Sequence, residues 1–307
     1  MNFTDCIRYI SDINLRVFIS KVVRSASYKN SSKLSWRINN WNERIVADYL
    51  RHEIMSNNHT FPMPQEKFNP AIPDKSIFIM WWQGEQNAPS LVKACIESVR
   101  INANGHKVII ITKENINDFI NIPNFIIKKV REKNISFTHL SDIIRLNLLA
   151  QYGGAWIDAT VFCAKEISEE YFQRPFYSIH FDQHTKDPSH GRWTTFLLFA
   201  QKANPIIEKA LEYHYRYWFK HSILVDYIMF DYIINEVISQ DHILTDMINN
   251  IPIEHKDVFQ LIEHLENSNF NIKDFINEHN TTFYKLSWKH NFKDSQKVAR
   301  QLIEAIR

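Results

Sequence analysis

The chain has 307 residues, of which 45% are hydrophobic and 23% charged, enough apolar material for a large folded unit and too much for a disordered one. Its 36 Lys or Arg stand against 34 Asp or Glu, a net charge of +2 with no basic run, which argues against a nucleic-acid partner. Cys6, Cys95 and Cys163 are widely spaced with no CxxC pair, against a disulfide framework or zinc ribbon and in favour of a reducing compartment.

Residues 1 to about 60 read as helical. Ile7, Ile10, Asn14, Val17 and Phe18 fall at helical spacing, as do Ile45, Tyr49 and Leu50. This start shows neither a secretory signal nor the roughly 18 apolar residues of a membrane span, so a cytoplasmic protein is expected. Between Met1 and Asn58 nine Lys or Arg face five Asp or Glu. A pair of helices packed on the main domain is expected. Lys21, Arg24, Lys29, Lys33 and Arg37 then form either a solvated face or a peripheral contact with the inner face of the cell membrane.

Pro62, Pro64, Pro70 and Pro73 in FPMPQEKFNPAIPDK cannot continue a helix. The domain boundary is placed there, with a helical extension and linker over 1–75 and the main domain over 76–307. Strands are then expected at 76–82, 107–112, 125–130, 155–163, 176–181 and 195–199. Helices are expected at 90–102, 116–120, 136–152, 205–220, 225–239 and 294–306. Alternating helices and continuous apolar strands imply an α/β unit whose largely parallel sheet is covered on both faces.

Glycine is scarce: Gly84, Gly105, Gly153, Gly154 and Gly191 are the only ones, so each is expected where a side chain would be costly. Gly84 follows the first strand, and ligands of open α/β sheets bind beyond the carboxyl ends of strands. The stretch SDIIRLNLLAQYGGAWIDATVF holds the chemistry. Asp142 and Arg145, three apart, share a helix face. They form either a surface ion pair or a grip on a polyhydroxylated ligand. Asp158 follows the apolar run Ala155–Trp156–Ile157. A carboxylate inside a buried strand is costly unless a cation or several donors meet it. A divalent ion bridging a diphosphate would do so, as would backbone N–H groups at a bulge.

This stretch resembles the sugar- and metal-binding block of retaining glycosyltransferases with the GT-A fold. It is closest to the capsular polysaccharide synthesis glycosyltransferases, related to the family 32 mannosyltransferases and the large clostridial glucosylating toxins. IFIMWWQGEQNAP, LVKACIESV and TTFYKLSWKH are also similar to that family, so the resemblance spans roughly residues 76 to 292. It implies a Rossmann-like α/β GT-A domain with a mostly parallel sheet, preceded by the helical extension. It also implies transfer of galactose or glucose from a UDP-sugar, with retention, to a hydroxyl of a glycan or lipid-linked oligosaccharide in capsular or surface polysaccharide synthesis.

By the same resemblance, Trp81 stacks on the base with Gln83 beside it, and Asp142 and Arg145 hold the donor sugar near its diphosphate. Asp158 matches the first position of an Asp-x-Asp motif for Mn²⁺ or Mg²⁺. Ser287, a further metal ligand, and Trp288 match a loop that closes over the diphosphate, where Lys285 or Lys289 adds charge. Thr160 departs from the motif's second Asp and brings a ligand without charge. That departure keeps a second reading open, a catalytically decayed nucleotide-sugar or carbohydrate-binding protein.

His180, Asp182, His184, Asp187 and His190 crowd one segment and suit an acceptor loop better than a zinc site, because Pro188 breaks any helix there. Asp226 and Asp231 either orient an acceptor or lie on a solvated helix face. The chain lacks GxGxxG, GxxxxGK[ST] and GxSxG, which removes dinucleotide, P-loop and α/β-hydrolase readings. WWQGEQNAP also lacks the basic residue expected of a sugar nucleotidyltransferase loop.

Overall fold

The computed structural model describes residues 3–27, 32–55, 67, 69–181, 185–267 and 269–307. Three helices open the chain rather than two: α1 (Phe3–Asp12), α2 (Leu15–Ser27) and α3 (Lys33–Met55). Asn14 divides the first two, its side chain accepting from the Val17 N–H at 2.8 Å as an N-cap does. Tyr9, Val17, Ile45, Val46 and Leu50 join one apolar cluster with the sheet residues Ile77, Phe78 and Trp156, so the extension shares the main core. Lys21 and Arg24 turn inward, each 3.5 Å from Asp226. Asp226 therefore anchors the extension and is neither a solvated helix residue nor free to orient an acceptor. Lys29, Pro62 and Pro64 lie outside the described residues; Pro70 and Pro73 sit in irregular chain before the first strand.

The main unit runs β1 (Ile77–Met80), α4 (Ser90–Ile101), β2 (Val108–Ile111), α5 (Asn124–Arg131), α6 (Phe137–Tyr152), β3 (Gly154–Ile157), β4 (Val161–Cys163) and α7 (Glu169–Gln173). It continues with β5 (Phe176–Ser178), β6 (Leu197–Ala200), α8 (Pro205–Lys220), α9 (Met229–Ser239), α10 (His242–Asn249), α11 (Leu261–His264), α12 (Ile272–Glu278), β7 (Phe283–Lys285) and α13 (Ser295–Ile306). Five strands form the central sheet in the order β2–β1–β3–β6–β5. β1 pairs in parallel with β2 and β3, while β6 runs antiparallel to both β3 and β5. Four strands thus share a direction and β6 opposes them, a mostly parallel α/β sheet with an N-terminal helical extension, as expected.

Two of the expected strands take other forms in the structure. Residues 125–130 are helical, in α5, not a strand. Pro123 stands just before the first turn, and Lys128, Lys129 and Arg131 crowd the last turn, where the helix dipole favours cations. The strand expected over 155–163 is two strands. β3 stops at Ile157, and the Val161 N–H bonds back to the Asp158 carbonyl at 2.9 Å. β4 then leaves the sheet to pair antiparallel with β7. Asp158 accordingly sits in a turn at the carboxyl edge of the sheet rather than mid-strand.

Gly153 and Gly154 make the reversal from α6 into β3 with φ of 67° and 88°. A Cβ on Gly154 would stand 2.3 Å from the Ser76 carbonyl oxygen, and one on Gly153 would stand 2.5 Å from the Lys202 nitrogen. The pair is there for close backbone approach. Behind the β4–β7 ribbon, Leu91, Cys95, Phe162, Tyr284, Val298 and Leu302 form a second apolar cluster that fixes its position. Among the described residues no helix is long and apolar enough to cross a membrane.

Candidate active site

Beyond the carboxyl ends of β1 and β3 lies an open cleft with about 850 Å³ of empty space. Its walls come from four distant segments: Met80 to Gln83 at the end of β1 and just past it, Phe137 to Arg145 on α6, Trp156 to Thr160 around the β3–β4 turn, and Trp288 after β7. α6 begins where it does because the Ser136 hydroxyl accepts from the His139 N–H, an N-cap that places Thr138, Ser141 and Arg145 along the cleft.

Asp158 is the hub. Its Oδ1 accepts from the Trp156 indole N–H at 2.9 Å and faces Arg145 Nη2 at 3.4 Å. Its Oδ2 accepts from Lys285 Nζ at 2.8 Å. Burial pushes its carboxyl up, but the Lys285 and Arg145 charges and the two hydrogen bonds outweigh that and hold it below the ordinary carboxylate value. With 26% of its side chain exposed, it is an ionised group at the cleft wall.

Arg145 is buried, at 4% exposed. Its guanidinium lies 3.3 Å from Asp142, donates to the Thr195 carbonyl, and stands 5.1 Å and 5.4 Å from the ring centres of Trp156 and Phe230. Asp142 is also buried, at 8%, with His139 Nδ1 3.3 Å from its other oxygen. The Asp142–Arg145 pair is therefore no surface ion pair. Arg145 lines the cleft, and Asp142 stands behind it as its counter-charge.

Trp81 and Trp288 meet edge to face at 5.9 Å between ring centres. Gln83 lies exposed at the rim. Two buried donors here, Trp81 Nε1 and Arg145 Nε, have no hydrogen-bond partner among the described residues. Unpaired buried donors at a cleft are groups a ligand can satisfy.

Lys285 comes from the far end of the chain. The β4–β7 register sets it opposite Val161, and its ammonium reaches both Asp158 Oδ2 and Thr160 Oγ1, the latter at 2.9 Å. Ser287 is half-buried and outside the cleft lining, and Lys289 stands 5.8 Å from the Trp288 ring centre. A divalent cation held by Asp158, Thr160 and Ser287 would need several free oxygen ligands. Among the described residues Asp158 is the only carboxylate lining the cleft, its oxygens are engaged by Lys285, Arg145 and Trp156, and the Thr160 hydroxyl is taken by the same lysine. Among the described residues no three His, Cys, Asp or Glu gather in a metal-binding group. The donor set does not fit the expected Mn²⁺ or Mg²⁺.

The crowded histidine segment has structural partners. His180 Nδ1 bonds the Ile251 carbonyl, His190 pairs with Glu43, and Asp187 accepts from Ser189. Asp182 and His184 lie outside the described residues. Asp231 accepts from the Trp193 indole at 2.9 Å, and burial together with the negative charge of Asp187 pushes its carboxyl up to about 8. Sequence reading missed Trp156 and Ser141 as site residues. Trp156 carried a signal, an indole two residues before the hub carboxylate and within reach of it across the start of the turn.

No curated protein gives a significant sequence match. Among solved structures, the PaToxG glycosyltransferase is similar over 76% of this chain and 94% of that one, with 12% identity and a TM-score of 0.37. Residues 26–306 match the sequence pattern of the capsular polysaccharide synthesis proteins, and the chain belongs to that family.

Proposed function

We propose that the protein is a glycosyltransferase that moves a hexose from a UDP-sugar to a hydroxyl of a glycan or lipid-linked oligosaccharide during capsular or surface polysaccharide synthesis. One observation carries this reading: a cleft at the sheet edge is lined by the paired indoles of Trp81 and Trp288, by Arg145 and by Asp158, whose carboxylate Lys285 holds from beside the lining. Trp81 and Trp288 offer a face and an edge to a nucleobase. Arg145 and Lys285 bring preorganised positive charge to the diphosphate, and Ser141 and Thr138 add hydroxyls suited to the sugar.

In the reaction the bond from the anomeric carbon to the β-phosphate oxygen breaks, its electron pair staying on that oxygen. The acceptor oxygen forms the new bond and its proton passes to the departing phosphate. Lys285 and Arg145 stabilise the charge that develops on the leaving group. A front-face route with retention suits a cleft in which, among the described residues, Asp158 is the one lining carboxylate and is ion-paired on both oxygens.

The reading extends to a peripheral contact with a membrane carrying the acceptor. Leu15, Ile19 and Val22 are exposed along α2 at helical spacing, Phe3 and Ile7 are exposed on α1, and Arg8 and Arg16 flank them. Lys21 and Arg24 take no part, because Asp226 holds them.

A panel of nucleotide sugars tests the reading by release of nucleoside diphosphate. The native protein should turn over one or two donors, and Asp158→Ala should lower turnover at least about a hundredfold, the scale of lost electrostatic preorganisation. Binding without release from any donor would favour the decayed form, and undiminished release from the variant would remove Asp158 from the mechanism.

A further inference from the structure

We propose that the ammonium of Lys285 performs the neutralising task that a divalent cation has in an Asp-x-Asp site, so that this chain binds its nucleoside diphosphate without metal. The inference rests on the donor-binding reading of the cleft and deepens it.

Lys285 Nζ lies 2.8 Å from Asp158 Oδ2 and 2.9 Å from Thr160 Oγ1, bridging the first and third positions of the motif. Backbone pairing fixes this placement on both sides. The Lys285 N–H donates to the Val258 carbonyl at 2.7 Å, and the Leu286 N–H donates to the Thr160 carbonyl at 2.9 Å. Behind the ribbon, Phe162, Tyr284 and Leu286 are buried in the second apolar cluster. The lysine is thus aimed by a strand and is not a wandering surface side chain.

Charge and valence agree with the exchange. A second aspartate at position 160 would give the turn two negative charges, a setting that calls for a dication. Threonine leaves one, which a single ammonium neutralises, and its hydroxyl is an acceptor for that same group. A dication seated beside Asp158 would be repelled by Lys285 and Arg145, both already against the carboxylate. An ammonium has three N–H donors. Asp158 and Thr160 take two, the side chain is 23% exposed, and among the described residues no other acceptor takes the third donor, which is left for a phosphate oxygen.

The test is calorimetric titration of UDP into the full chain, in EDTA and again with Mn²⁺, for the native protein, Lys285→Ala and Lys285→Arg. Native affinity should be the same within about twofold in the two buffers. Lys285→Ala in EDTA should bind at least about tenfold more weakly, the loss of one charge-assisted hydrogen bond. Mn²⁺ should recover part of that loss, because the variant frees Asp158 and Thr160. Lys285→Arg, which keeps the charge, should bind closer to native and control for misfolding. Native binding that tightens tenfold or more with Mn²⁺, or a Lys285→Ala protein that binds as native does in EDTA, would overturn the proposal while leaving the donor site standing. Absence of UDP binding in both buffers would bring down the donor reading, and this inference with it.

Discussion

Replacing Asp231 with Asn should make the protein more stable as the pH rises, and by an amount that follows from where the carboxyl sits. Asp231 is at the start of α9, half-buried, with one oxygen on the Trp193 indole N–H and with Asp187 and Asp142 adding negative potential. Burial is the largest influence and raises its pKa from 3.8 to about 8. The unfolded chain releases this proton near pH 4 and the folded chain keeps it to about 8, so folding takes up a proton across that window. Stability contributed by the protonated group is therefore fully present below the unfolded value and declines as pH rises, by up to about 1.4 kcal/mol per pH unit. Half-burial and the nearby Arg145 temper the total, and a gain of at least about 2 kcal/mol for Asp231→Asn at pH 8 is expected, with almost none at pH 4. Asparagine keeps the shape and an oxygen for Trp193 but cannot ionise. Urea unfolding followed by far-ultraviolet circular dichroism at pH 4, 5, 6, 7 and 8 gives the difference directly. A native-to-variant difference constant over that range would refute the assignment of a neutral Asp231.

Gly154→Ala should destabilise the fold by about 2–4 kcal/mol, combining a positive-φ cost with a methyl forced against the Ser76 carbonyl; a thermal midpoint within 1–2 °C of native would contradict the close approach, on the scale of roughly 2–4 °C per kcal/mol. Ile19→Glu with Val22→Glu should reduce co-sedimentation with vesicles containing anionic lipid by at least about tenfold, since each loses the burial of an aliphatic side chain. Unchanged co-sedimentation, or none by the native protein, would remove the membrane contact.

Much of the site was readable because its residues are close in sequence. Asp142, Arg145, Asp158 and Thr160 lie within one stretch whose helix, glycine pair and strand appear in the expected order. The cost of a carboxylate among apolar residues drew attention to Asp158, but it lies in a turn at the sheet edge and not inside a strand, where Lys285 and Arg145 meet its charge. The break at Asp158 was not readable, because Ala155 to Cys163 is apolar on either side and periodicity cannot separate one strand from two that meet at a turn. FIIKKV, at 125–130, is short enough to suit a strand or a helix, and the adjoining proline and basic last turn decided for the helix. The bridging role of Lys285 depends on β7 pairing with β4 across more than a hundred intervening residues, a long-range contact with no local signature. The same holds for Lys21 and Arg24, whose basic spacing gives no hint that Asp226 draws them inward.

A crystal structure with a bound UDP-sugar tests the central claim most directly. The nucleobase should lie against Trp81 and Trp288, with the diphosphate oxygens within hydrogen-bond distance of Lys285 and Arg145. Donor density elsewhere, such as the hollow between Leu265 and Val298, with the Trp81–Asp158 cleft filled only by solvent, would contradict the account.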